Sequence, residues 1–342
     1  MSEAAGLGQL RLRKPYVIFM GDVDDPASAK TGFGLRDWCP DDSIGQIRTA
    51  AGAVDLGLPE LTAKQAVQAG ARSLVIGIAP DGGTLKESWI PTLAEAAAAG
   101  LDVVSGLHTR LEAYPAIVAA AQAAGIRLVN VRHPGKSFPV GSGRKRTGKR
   151  LLTVGTDCAL GKKYTALGIA AELRARGLPA TFRATGQTGI MIAGAGIPID
   201  SMVADFVAGA AEALSPDAPP DHWDVIEGQG SLFHPSYAAV TLGLVHGSQP
   251  DAMVLCHDPR RLAIDGLPDF PIPPLAVAIR RYEEAAGLTN PAARIVALSL
   301  NTGGMSDDEA AAAIDFAASE SGLPATDPIR RGAAVLADSM VG

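Results

Sequence analysis

Residues 151–177, LLTVGTDCALGKKYTALGIAAELRARG, decide the reading of this chain. The apolar start predicts a strand, Gly155 to Gly161 a loop, and the stretch from Lys162 a helix that Gly177 stops. Ala166, Ile169, Ala170 and Leu173 supply the apolar stripe of that helix. Strand, glycine-bounded loop, lysine and helix together form a phosphate cradle. Backbone N–H groups free of bulky side chains point at an anion, the helix N-terminus adds partial positive charge, and the lysine completes the neutralisation. Lysines in a first helical turn oppose the macrodipole, and an anion gives them a reason to be there. The expected anion contacts are Gly155, Thr156, Asp157, Cys158, Ala159, Leu160, Gly161, Lys162, Lys163 and Tyr164, with Lys162 facing solvent until an anion arrives.

The loop departs from the strict G-x-x-x-x-G-K-[ST] pattern in two ways. It is one residue longer, and Lys163 stands where a hydroxyl would bind magnesium. A pyrophosphate held only as an anchor fits such a loop better than a magnesium nucleotide about to be hydrolysed. The plain alternative is an ordinary βα turn with exposed lysines at a helix start.

Composition narrows the class. A chain of 342 residues is long enough for two cores, and 47% hydrophobic with 5% aromatic residues indicates a soluble α/β protein. A net charge of -6 gives no electrostatic case for nucleic acid or anionic membranes. Cys39, Cys158 and Cys256 lie too far apart in sequence for a C-x-x-C metal site or a disulfide framework, which fits a cytoplasmic location. No apolar run is long enough to cross a membrane, and no export signal is recognisable.

Residues 14–138 read as a Rossmann-like parallel-sheet domain, because short apolar strands alternate with capped helices. Expected elements are a strand at 16–22, a helix from Thr62, strands at 73–79, 102–105 and 127–132, and helices at 91–99 and 113–124. Residues 22–38, with Lys30, Thr31, Gly32, Gly34 and Arg36, read as a basic glycine-rich loop at a strand's carboxyl end, where open α/β sheets bind ligands. Residues 38–60 carry no clear pattern. A turn is expected at 80–83; residues 82–88 and 105–111 follow strand ends, which makes His108 and Arg110 candidates for a cleft rim, although single histidines are more often structural, a caution that also covers Arg132 and His133. Residues 136–150, KSFPVGSGRKRTGKR, read as a solvated basic connector at the domain boundary.

Residues 150–342 read as a P-loop NTPase-like α/β domain, with a helix over 200–214 capped by Asp200. In residues 224–237, DVIEGQGSLFHPSY, a short apolar strand delivers Glu227 at its carboxyl end, followed by Gln229, Ser231 and His234. An acid there occupies the place of a Walker B carboxylate beside the phosphate loop, and the glycines let backbone approach a ligand. Later strands end on His257, Asp258, Arg260 and Arg261, and on Asn301 to Gly304; Ser306 and Glu309 form a capping box.

The run GTDCALGKK resembles the phosphate loop of dethiobiotin-synthetase-like proteins. The fuller set GTDCALGKKYTA, ATGQTGI, DFVAGAAE, IEGQGSLFHPSY and VTLGLVHGSQPD, preceded by GIAPDGG and SGLH, resembles the bacterial D-glutamate N-acetyltransferase (DgcN-like) family over about residues 14–340. The resemblance implies a cytoplasmic acyltransferase that moves the acetyl group of acetyl-CoA, as co-substrate, to the amine of D-glutamate; no metal is expected, because Lys163 stands at the magnesium-ligand position, and a homo-oligomer is expected. Amide formation requires a proton acceptor for the amine, and Glu227 and His234 are the candidates nearest the loop. Backbone N–H groups of the GQG turn could hold the oxyanion. Acceptor carboxylates call for arginine's planar fork, available at Arg260, Arg183 and Arg36, with Gln187, Gln229 and Ser231 as polar partners. The alternatives are a magnesium-ATP-dependent kinase or ligase of the dethiobiotin-synthetase type, using the same loop with Glu227 as metal ligand, and a nucleotide-binding sensor without turnover.

Overall fold

The structure is a computed structural model that describes residues 10–79, 83–133 and 138–341. Residues 1–13 read in sequence as a loose end; positions 1–9 of it, most of the turn at 80–83 and the start of the basic connector lie outside the described residues, whereas Leu10–Arg11 form a short paired strand. The chain divides into two compact units, one built from Gln9–Lys136 with Gly186–Ser201, the other from Ser137–Thr185 with Met202–Gly342.

The first unit runs through β1 (Leu10–Arg11), β2 (Tyr16–Gly21), α1 (Lys30–Trp38), β3 (Ser43–Arg48), α2 (Ala63–Gln68), β4 (Ser73–Ile76), α3 (Ile90–Ala98), β5 (Asp102–Ser105), α4 (Pro115–Ala124) and β6 (Leu128–Asn130). Its five-stranded sheet has the order β3-β2-β4-β5-β6, and every pairing is parallel. Tyr16, Val17, Ile18, Phe19 and Met20 are wholly buried, the pattern of a strand covered on both faces. Thr62 caps α2 as expected, and the structure adds Gln65 as the second half of a capping box.

Two readings change here. Lys30, Thr31, Gly32, Gly34 and Arg36 form α1, not a loop. The glycines serve packing: the Gly32 N–H donates to Gly77 O at 2.7 Å, and a Cβ on Gly32 would lie 2.9 Å from Met20 Sδ. Second, the patternless stretch contains the edge strand β3. Its buried Gln46 donates to Asp55 and accepts the Leu56 N–H, so a satisfied polar side chain replaces the apolar signal.

The second unit begins with β7 (Lys149–Gly155), α5 (Lys162–Ala175) and β8 (Ala180–Arg183). The chain then forms α6 (Gln187–Ala193) and β9 (Ala195–Gly196), which belong with the first unit, where β9 pairs antiparallel with β1. It continues through α7 (Val207–Leu214), β10 (Trp223–Ile226), α8 (Ala238–Ser248), β11 (Ala252–His257), the hairpin β12 (Ala263–Ile264) and β13 (Leu267–Pro271), α9 (Leu275–Gly287), β14 (Arg294–Leu300), α10 (Asp307–Ser321), β15 (Ala325–Thr326), α11 (Pro328–Arg331) and α12 (Ala334–Val341). The six-stranded parallel sheet has the order β15-β14-β11-β7-β10-β8. Thus β7 is central, flanked by β11 and β10, and all three aim their carboxyl ends at one edge. Asp200 does not cap the expected helix over 200–214. It sits in a 3-10 turn and pairs with Arg132 at 2.8 Å, and α7 starts seven residues later.

The basic connector is also corrected. Arg146 and Arg150 are 6% and 1% exposed. Arg146 donates to the carbonyls of Ser215, Gly247 and Ser248, which lie at the ends of α7 and α8, where helix carbonyls lack intrahelical partners. Arg150 donates to the carbonyls of Arg146, Thr147 and Pro216. Burial pulls the Arg146 guanidinium down to about 10. Lys145 and Arg144 are held by Asp251 and Asp217.

Candidate functional site

The loop between β7 and α5 has the backbone of an anion cradle. Ala159 (φ 54°) and Gly161 (φ 100°) both take left-handed conformations, the kind of backbone from which anion-binding concavities are built, and α5 begins at Lys162. A non-glycine residue in that conformation stores strain, which clusters at ligand sites. Gly155 is required by space: a Cβ there would lie 3.0 Å from Asp157 O and 3.1 Å from Lys162 Nζ.

Lys162 does not face solvent. It is 6% exposed and its ammonium donates to Asp157 O at 2.8 Å, within the curve of the loop. Burial lowers its pKa, and the opposing influence of Cys256, Cys158 and Asp157 does not restore what desolvation removes. Lys163, at the magnesium-hydroxyl position, lies with Nζ 4.5 Å from the Tyr164 ring centroid. Cys158 is half-buried, and burial pushes its thiol up.

Asp157 is fully buried and accepts three N–H groups. These are Cys158 N on Oδ1 at 2.6 Å, and Arg261 Nη1 and Asp265 N on Oδ2 at 2.5 and 2.9 Å. Arg261 Nη1 also donates to Cys158 O at 3.0 Å. Asp157, Cys158 and His234 offer ligand atoms within 4.8 Å of one another. With its oxygens already engaged by N–H groups, Asp157 is poorly disposed to take a cation as well.

The neighbouring strands brace the loop. Ser231 Oγ and Tyr282 Oη both donate to Gly155 O, at 2.8 and 2.7 Å, and Tyr282 Oη accepts the Leu232 N–H. Tyr282 is wholly buried, which pushes its phenol up to about 12 and keeps it a donor. Thr156 Oγ1 lies 3.0 Å from His257 Nδ1, and burial lowers the His257 pKa. Gly228 packs on β7 so closely that a Cβ would lie 1.7 Å from Thr153 O. This brings the GQG turn against the loop, since Ile226 pairs with Leu152.

Glu227 is 4% exposed at the end of β10. Its Oε2 accepts the Thr185 N–H at 2.9 Å, and Thr185 Oγ1 donates to Glu227 O and accepts from Gln229 Nε2. His234 is 7% exposed and its Nδ1 accepts the Ser236 N–H at 3.1 Å. A neutral imidazole that accepts at Nδ1 carries its hydrogen on Nε2, so this ring is a donor at its other nitrogen.

The remaining expected residues are placed as follows. Arg260 forms a two-pronged pair with Asp258, Arg183 is paired with buried Asp224, and Arg36 with Asp37. Ser231 is fully buried and its hydroxyl is spent on the loop. Gln187 lies in the first unit, against Gly106 after β5, next to Thr188, whose hydroxyl meets that of Thr31 at 2.9 Å. Sequence reasoning missed Tyr282 and Thr185 and chose Arg260 where Arg261 reaches the loop. Tyr282 has no local signal, whereas the Arg260–Arg261 pair at a strand end beside the loop was the visible clue.

Comparison with known proteins agrees with this geometry. Residues 46–134 match a family described as the Rossmann-like domain DUF1611_N, and residues 139–337 the P-loop domain DUF1611_C, both of unknown function. A D-glutamate N-acetyltransferase of Tritonibacter scottomollicae is 48% identical over 329 residues, covering 96% of this chain and 99% of that protein. Another from a Pseudoalteromonas species is 42% identical, covering 94% and 97%. The crystal structure of a DUF1611 family protein from Anabaena variabilis matches with a TM-score of 0.83 at 35% identity, over 96% of this chain and 99% of that one.

Proposed function

The chain belongs to the DUF1611 family, with an N-terminal Rossmann-like and a C-terminal P-loop domain, and on that premise we propose that it is a D-glutamate N-acetyltransferase using acetyl-CoA. The observation that carries the activity is near full-length identity of 42–48% to two proteins of that name. The loop geometry supports the binding mode: the CoA diphosphate sits in the cradle of residues 156–162, with Lys162 as its cation. No helix among the described residues is long and apolar enough to cross a membrane. We assign the reaction to the cytoplasm and to a chain that works without a metal and as a homo-oligomer.

The chemistry sets the roles. The amine of the acceptor must shed a proton, attack the thioester carbonyl, and expel the CoA thiolate, which then takes a proton. Glu227 is the proposed proton acceptor, held by the Thr185 N–H in a buried setting. His234 is assigned as an N–H donor rather than a base, because Nδ1 is already occupied by Ser236 N–H. Gln229 and Arg260 remain the proposed acceptor contacts in this unit.

One constraint makes this testable. The pantetheine arm spans on the order of 15 Å when extended, from bond lengths of about 1.5 Å. Glu227 precedes Gly228, which abuts Lys162, so the arm must turn back for the thioester to reach it. If it does, Glu227→Gln lowers kcat by roughly two to four orders of magnitude with CoA affinity kept. A variant with near-normal kcat and weakened CoA binding would return Glu227 to a purely loop-bracing role. His234→Ala, measured beside it, should weaken CoA binding with a smaller effect on kcat.

A further inference from the structure

A phosphate cradle with a carboxylate built into it works against itself. Asp157 is the third residue of the loop and has no exposed surface, so solvent does little to screen it from an anion held by the same loop. Lys162 faces both, but its pKa is already lowered by burial. The compensating charge comes from outside the loop. Arg261, in the turn after β11, places Nη1 on Asp157 Oδ2 and on Cys158 O. Four residues on, the Asp265 N–H is bound to the same Oδ2, so the β12–β13 hairpin is fastened to the loop through one carboxylate oxygen. The Asp265 side chain is 70% exposed and 3.6 Å from Arg261 Nη2, where water screens it.

We propose that Arg261 is the residue that makes the loop able to accept an anion. It cancels the charge of Asp157 and, by gripping the Cys158 carbonyl, fixes the loop backbone there. Arg261 is a positioning residue, not a phosphate ligand. The inference rests on the loop being the CoA diphosphate cradle. Without Arg261 the buried carboxylate is left uncompensated beside the diphosphate.

The test compares Arg261→Gln, Asp157→Asn and the double variant, titrating each full-length protein with CoA by calorimetry. Arg261→Gln should raise the CoA Kd by roughly ten- to a hundredfold, the scale of one uncompensated charge at moderate dielectric. The double variant should recover most of that loss, because the charge to be cancelled has gone. A double variant as weak as Arg261→Gln would overturn the proposal and make Arg261 a direct phosphate ligand. Should Arg261→Gln not fold, Arg261→Lys keeps the charge without the fork and should bind CoA within about tenfold of wild type; a larger loss would also overturn it. Lys162→Met serves as the control for the underlying reading. If it leaves CoA affinity unchanged, the cradle itself fails; if it weakens binding but the double variant does not recover, only the role of Arg261 fails.

Discussion

Replacing Lys162 by methionine separates the cradle's charge from its packing. The side chain is 6% exposed, its Nζ is 2.8 Å from Asp157 O, and its stem lies against Gly228. Methionine keeps the volume of the stem. It gives up one charge-assisted hydrogen bond, a loss of about 1.5–3 kcal/mol, and removes a buried ammonium whose desolvation opposes that gain. The two terms have opposite signs and similar size, so stability should change by less than about 1 kcal/mol, or about 4 °C in Tm. CoA binding has no such offset. Losing a charge-assisted contact to the diphosphate should cost about 2–3 kcal/mol, a roughly 30- to 150-fold rise in Kd. Lys162→Ala should bind equally poorly and also melt lower, because it leaves a cavity where the stem was. Titration calorimetry with CoA and thermal unfolding without ligand read the two quantities separately. A methionine variant with wild-type affinity, or one whose affinity and stability fall together, would refute the reasoning.

Three further outcomes follow from the same geometry. Burial disfavours the charged form of Lys162 in the free protein and a bound diphosphate favours it, so CoA binding should take up protons and weaken as pH rises through the free-state pKa; calorimetry in buffers of different ionisation enthalpy measures the uptake, and none would mean that the lysine is fully charged beforehand. Gly228→Ala places a Cβ 1.7 Å from Thr153 O, so β10 must move off β7; this should cost about 3 kcal/mol or more and weaken CoA binding, and a variant melting within a degree of wild type would contradict the packing. Acetyl transfer should be unaffected by EDTA, because Lys163 stands where a magnesium-binding hydroxyl would; activity restored only by added magnesium would count against that.

The fold was legible wherever local chemistry decided it. The α5 start, the Thr62 and Ser306 capping boxes and the strand ending at Glu227 each carry their signal within a few residues. What escaped depended on distant partners. Gly32 and Gly34 look like a ligand loop until Met20 and Gly77 are seen packed against the first of them. Arg146 and Arg150 look like solvated charges because the carbonyls of Ser215, Pro216 and Gly247 that help to bury them lie some seventy to a hundred positions away. At the site, the cradle could be read from its glycines and lysine. Its neutralisation by Arg261 and its bracing by Tyr282 could not, since each contact spans more than a hundred residues. The orientation of Lys162 was misjudged for a different reason: its partner is only five residues away, but the turn of the loop backbone that puts Asp157 O within reach of the ammonium does not show in the residue types.

The allocation of Gly186–Ser201 to the first unit has a consequence for biosynthesis. The Rossmann-like sheet is complete once β6 has been made, but the helix at α6 and the strand pairing with β1 are encoded some sixty residues later, after the phosphate loop and its helix. A ribosome therefore releases the first unit unfinished and must deliver the nucleus of the second before the first can close. A protease cut or a gene split at the connector would therefore leave the N-terminal fragment without α6 and β9, which the C-terminal fragment would carry instead.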